Sequence, residues 1–141
     1  MKRFSSTASL LLVMATMTSC SHLTGESRFG VPEDRRFPHD TPEELIVATL
    51  ALLENGQCEY MVVHLMNPLR IKSRELCQEV LNQFHQSPEE NWRDALLNLH
   101  AIARGEIHPE EDGDKLRYRF DNAGGDITIL EVDGKWYIDN I

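Results

Sequence analysis

The hydrophobic pattern of this chain changes period once, at Gly105. From Thr41 to Gly105 apolar residues recur at helical spacing, and beyond it they alternate at the period of two that marks a strand. Thr41-Pro42-Glu43-Glu44 has the form of a helix start, with Thr41 as N-cap, Pro42 at the first helical position and Glu44 placed to close a capping box. Leu45, Val47, Ala48, Ala51 and Leu52 then mark an apolar face, and Gly56 stops the helix. A shorter helix is predicted from Cys58 to Met66, broken by Asn67-Pro68. A third, from Ser73 to Gln86, is expected to bury Leu76, Cys77, Val80, Leu81 and Phe84. Ser87-Pro88-Glu89-Glu90 repeats the capping pattern and opens a fourth, whose inward stripe is Trp92, Ala95, Leu96, Leu99, Ile102 and Ala103.

The C-terminal third reads as sheet. Leu116, Tyr118 and Phe120 alternate with Arg117 and Arg119, bounded by Asp112-Gly113 and by the turn residues Asn122 to Gly125. Asp133-Gly134 is a favoured two-residue hairpin turn, which sets Glu131 opposite Trp136, Leu130 opposite Tyr137 and Ile129 opposite Ile138. Ile127, Ile129, Trp136 and Ile138 then share the expected core face. Residues 106 to 111 offer a polar edge strand. The predicted fold class is therefore α+β, with N-terminal helices packed on an antiparallel meander of three to four strands over residues 41–141.

Ahead of that domain the pattern dissolves. Residues 21 to 40 mix Gly25, Gly30, Pro32 and Pro38 with charges and read as a flexible tether, with a reach of roughly 25 Å as a coil. Phe29, Val31 and Phe37 are its odd apolar residues, either incidental or a docking segment. Residues 1–19 begin with Lys2 and Arg3 and continue in the apolar stretch Ala8 to Ala15, too short to span a bilayer as a helix. That is the form of a cleaved export signal.

The segment Met17-Thr18-Ser19-Cys20 resembles the lipobox of bacterial lipoproteins. The resemblance implies cleavage after Ser19, diacylglycerol on the Cys20 thiol and a membrane anchor formed by several acyl chains. By likeness to enteric bacteria, Ser21 after the lipidated cysteine implies the periplasmic side of the outer membrane where the cell has one.

Charge narrows the partners. The precursor carries −9, and loss of Lys2 and Arg3 with the signal, which contains no acid, takes the mature form to −11. Such a balance disfavours nucleic acid, whose phosphates need a basic face, and adsorption to anionic headgroups. With 41% hydrophobic and 26% charged residues, the composition is that of an ordinary globular chain.

The order of elements, from the Thr-Pro-Glu-Glu helix start at 41–44, through the short helix with Tyr60, to the closing Asp-Gly-Lys-Trp-Tyr-Ile of 133–138, resembles the cystatin-like proteins of the NTF2-like superfamily. The resemblance covers about 41–141 and departs in having more helix and fewer strands. It implies a curved sheet wrapped on a long helix with a cone-shaped cavity, used by some members for binding and by others for catalysis.

Candidate chemistry is sparse. No His pair has metal-ligand spacing on a helix, and no nucleophile elbow, phosphate loop or dinucleotide fingerprint is present, so no metal or cofactor is expected. Tyr60, Tyr118, Trp136 and Tyr137 are candidates to line a cavity, against the plainer account of core packing. Cys58 and Cys77 lie on consecutive predicted helices where a disulfide is chemically permitted, yet Cys77 also suits the apolar stripe as a small hydrophobe. The leading expectation is a lipid-anchored, non-enzymatic module of the cell envelope that binds a protein or small ligand. The alternative is a small isomerase- or hydrolase-type enzyme with a cone-lining acid and tyrosine.

Overall fold

A computed structural model describes residues 27–141, so the expected signal and Cys20 lie outside the described residues. The chain divides into two units, one ending at Arg36 and one comprising Phe37–Ile141. In the described part of the first, Arg28 and Val31 exchange backbone hydrogen bonds of 3.0 and 2.9 Å around Phe29 and Gly30. Both central residues have positive φ, 52° and 81°, which makes a tight primed turn. Asp34 accepts the Arg36 backbone N–H at 2.9 Å and its guanidinium at 2.6 Å.

The second unit is α+β. Helix α1 is Pro42–Glu54. Helix α2, Cys58–Tyr60, runs straight into a π-helical turn, Met61–Leu65. Helices α3, Arg74–Gln86, and α4, Glu89–Ala103, follow. The strands are β1, Glu110–Asp112; β2, Lys115–Tyr118; β3, Ile127–Val132; and β4, Lys135–Asn140. They form one antiparallel sheet in sequential order.

Helix α1 is the centre of the core. Leu45, Ile46, Ala48, Thr49, Leu50 and Leu52 are all buried, so it is covered on more than one side by α4, the π turn and β4. Thr49 is tolerated there because its hydroxyl donates to the Leu45 carbonyl at 2.7 Å. The π turn keeps Met61, Val62, Val63 and Leu65 buried together. Its wider ring closes with Met66 N–H donating to Met61 O at 3.1 Å.

The hairpin has the expected register, Glu131 against Trp136, Leu130 against Tyr137 and Ile129 against Ile138. Asp133 and Gly134 both take positive φ, 51° and 82°, as a primed turn requires. Ile127, Ile129 and Ile138 are fully buried, but Trp136 is only half-buried. It shares the core face, yet it lies at the turn end of the hairpin opposite the exposed Glu131, where the core has run out.

Further differences have local causes. Thr41 caps α1 by accepting Glu44 N–H at 3.1 Å, and the Glu44 carboxylate accepts Asp40 N–H at 2.9 Å. The expected second box does not form, because only Ser87 and Pro88 separate α3 from α4. Ser87 closes α3 by donating its hydroxyl to Gln83 O at 3.0 Å, and Pro88 is left as the N-cap of α4. On α3 only Cys77 is buried, while Val80, Leu81 and Phe84 are half-buried and Leu76 is exposed. Val47, placed by its spacing on the apolar face of α1, is 58% exposed.

The unit also begins before Thr41. Trp136 N–H donates to His39 O at 2.8 Å, and His39 Nδ1 lies 2.7 Å from Trp136 O. Further along β4, Asn67 N–H donates to Ile138 O at 2.8 Å. Short pieces of chain thus satisfy backbone groups that β4 would otherwise present as an open edge.

Candidate functional site

The site with the most chemistry is a cleft of about 300 Å³ between the start of α1, the end of α4 and β2. Its lining follows from three local features. The Thr41 cap fixes the start of α1, which sets Glu43 in the first turn and Ile46 and Val47 in the next. At the other wall α4 ends at Gly105, φ +73°, with Gly105 N–H donating to Ile102 O at 2.9 Å and Glu106 N–H to Ala101 O at 3.0 Å. This left-handed close turns the chain so that Ile107, His108 and Pro109 complete the wall begun by Ile102 and Ala103. The third side is β2, where Tyr118 pairs with Ile127.

Tyr118 is the residue that makes this cleft more than a packing gap. It is 5% exposed, yet its hydroxyl makes no hydrogen bond among the described residues. A buried phenol without a partner is costly. Burial pushes its pKa up, and the Glu43 charge adds to that rise, so the group stays a neutral donor. Glu43 itself is exposed and enters no ion pair or hydrogen bond among the described residues.

The other expected cavity residues are dispersed. Tyr60 lies half-buried between Phe37, at 5.4 Å, and the His64 ring, at 4.7 Å. Tyr137 stands edge-on to His39 at 5.0 Å. Trp136 lies at the turn end of the hairpin, so of the four aromatics only Tyr118 lines this cleft.

Cys58 and Cys77 are held as separate thiols. Cys77 is buried on α3, whereas Cys58 lines a second, more open cleft of about 350 Å³ with Phe84, His85, Glu89 and Trp92. Burial pushes the Cys58 thiol up, away from the thiolate that nucleophilic chemistry needs. Trp92 is spoken for structurally, since its indole N–H donates to Phe84 O at 2.8 Å. His100 is likewise engaged, 2.6 Å from Glu54, joining α4 to the end of α1. Among the described residues no group of three His, Cys, Asp or Glu is placed to hold a metal ion, and no helix is long and apolar enough to cross a membrane.

Two polar clusters were not legible in advance. Asp139, 7% exposed, accepts from Asn67 Nδ2 at 3.0 Å and Lys115 Nζ at 2.9 Å, with Arg70 Nη1 3.6 Å away. It is the extra residue of a bulge, lying between the pairs Thr128–Asn140 and Ile129–Ile138, and a bulge re-aims a side chain that period-two reading would point elsewhere. Asn98 and Asn122 exchange reciprocal amide hydrogen bonds of 2.9 and 2.7 Å that seat the loop between β2 and β3 on α4. Both clusters hold structure together and leave the first cleft as the site with unsatisfied groups.

The chain matches no protein-family model, and no curated protein or solved structure matches it.

Proposed function

We propose that this chain is an exported lipoprotein, anchored at the cell envelope by lipid on Cys20, whose α+β unit is a non-enzymatic module binding a small ligand in the cleft of α1, α4 and β2. The observation that carries the binding role is Tyr118, 5% exposed, which lines the cleft and whose hydroxyl makes no hydrogen bond among the described residues. The anchor rests on Met17-Thr18-Ser19-Cys20. A cystatin- or NTF2-like fold is supported by the order of elements, by the buried central α1 and by the four-stranded meander beside it.

A second reading, a small enzyme of isomerase or hydrolase type, is favoured by one fact: Glu43, His108 and Tyr118 line the same cleft. Against it, Glu43 is exposed and makes no hydrogen bond or ion pair among the described residues that would orient it as a base.

Two experiments test the proposal. Bacteria expressing the chain and fed labelled palmitate should label it, and Cys20→Ser should abolish the label; label persisting in the variant refutes the anchor. A fragment screen by NMR should return ligands that shift the Ile46, Ile102 and Tyr118 resonances. Fragments that shift only other regions, or none at all, refute the binding role.

A further inference from the structure

The cleft has a definite electrostatic character. Glu43 is its one acidic side chain, and no Lys or Arg lines it. Of the three acids of β1, Glu110 pairs with Arg119 at 2.8 Å and Asp112 with Arg117 at 2.7 Å, while Glu111 enters no ion pair among the described residues. Glu43 has no such partner among the described residues. Ile46, Ile102 and Ile107 supply apolar lining, and Tyr118 of β2 lines the same cleft.

We infer that this cleft binds a small organic ammonium ion, with its apolar body against Ile46, Ile102 and Ile107 and its charged head shared between the Glu43 carboxylate and Tyr118. This deepens the binding-module reading and rests on it. The alternatives fail on chemistry. An organic anion would meet the Glu43 charge with no Lys or Arg in the lining to offset it. A purely apolar molecule would bury Tyr118 further and leave its hydroxyl unpaired.

An ammonium head carries three N–H donors, enough to bond the carboxylate and the phenol oxygen together. The phenol stays protonated, so the site keeps one negative charge for one positive guest. The cleft volume of about 300 Å³ lies at the small end of ligand sites, which limits the guest to a compact amine rather than a peptide or polyamine chain.

The test uses three molecules of one shape. The purified full-length protein is titrated with 2-phenylethylammonium, 2-phenylethanol and phenylacetate at neutral pH, following the Tyr118 and Ile46 resonances. The ammonium should bind about tenfold or more tighter than the alcohol, as a charge-assisted hydrogen bond provides, and phenylacetate should leave both resonances unmoved. Glu43→Gln, at an exposed position, should bring the ammonium to the level of the alcohol. Tyr118→Phe should weaken the ammonium severalfold while preserving the fold.

Equal affinity of alcohol and ammonium for the wild-type chain, or an unchanged ammonium affinity in Glu43→Gln, overturns the inference while leaving a binding cleft in place. If none of the three moves either resonance at millimolar concentration, the inference fails. A fragment screen that also finds no ligand there would show that the binding-module reading has failed with it.

Discussion

Lys115 and Asp139 lie on strands that are not neighbours, and Lys115 Nζ donates to Asp139 Oδ2 at 2.9 Å across the intervening β3. Burial opposes a charge on Asp139. The hydrogen bonds from Lys115 and Asn67, with the charges of Lys115 and Arg70, outweigh it and hold the carboxyl below its ordinary value. A carboxyl depressed in this way contributes stability that is present above the unfolded pKa, near 3.9, and is lost as pH falls through the folded one. Denaturant titrations at pH 7 and pH 3 should therefore show a loss on acidification that Asp139→Asn reduces. Asp139→Ala at pH 7 should cost about 1–3 kcal/mol, because it leaves the Asn67 amide buried without its acceptor. An acid limb of equal depth in Asp139→Asn would show that other carboxylates carry it.

The two ends of β4 should differ in their tolerance of truncation. Ile138 is fully buried opposite Ile129, so Ile138→Ala should cost about 2–5 kcal/mol. Trp136 is half-buried at the hairpin end, and its bonds to His39 run through the backbone, which alanine retains. Trp136→Ala should cost only about 1–2 kcal/mol. Urea midpoints that place Trp136→Ala as the more damaging change would mean that the indole supports the core after all.

What the sequence made legible was what depends on neighbours along the chain. The Thr41 cap, the turn at Asp133-Gly134 and the register it imposes are decided within a few residues, and they stand as expected. The misreadings share another cause. Spacing places Val47 and Trp136 on the apolar side of their elements, but how deep they sit depends on what packs above them, and that is not periodic. Ser87 has the sequence of a cap and serves the preceding helix instead, since two residues leave no room for two separate caps. The cleft was half visible. Alternation marks Tyr118 as a strand aromatic, whereas Glu43 reads as a helix-start acid and His108 as part of a polar edge strand. Only the fold brings 43, 108 and 118 together.

Cys58 and Cys77 give a chemical check on the helices. The structure holds them as separate thiols, so Cys20→Ser protein unfolded without reductant should show two titratable thiols per chain. In the folded state Cys58 should react slowly with a thiol reagent near neutral pH, because burial raises its pKa and thins the thiolate. Raising the pH should speed it. No reactive thiol after unfolding, together with a cross-linked peptide by mass spectrometry, would establish the disulfide instead.

Gly124 tests how the loop between β2 and β3 is held. A Cβ built there would lie 2.7 Å from the Ala95 backbone nitrogen, 2.7 Å from Asn98 Nδ2 and 2.8 Å from the Asp94 carbonyl carbon. Two of the three are helix backbone, which cannot yield, so in Gly124→Ala the loop must lift away from α4. Lifting it breaks the amide exchange between Asn98 and Asn122 and the bond from Ala123 N–H to Asp94 at 3.2 Å. Asn98, 3% exposed, then loses partners in a buried place. The overpacking and the stranded amide together should cost about 1–3 kcal/mol. If the cost arises this way, Asn98→Ala should do less harm in the Gly124→Ala background than alone, because the bonds it removes are already broken. A double-mutant cycle in urea measures the difference. Full additivity, or a Gly124→Ala protein as stable as the parent, would show that the loop is not seated on α4 through these contacts.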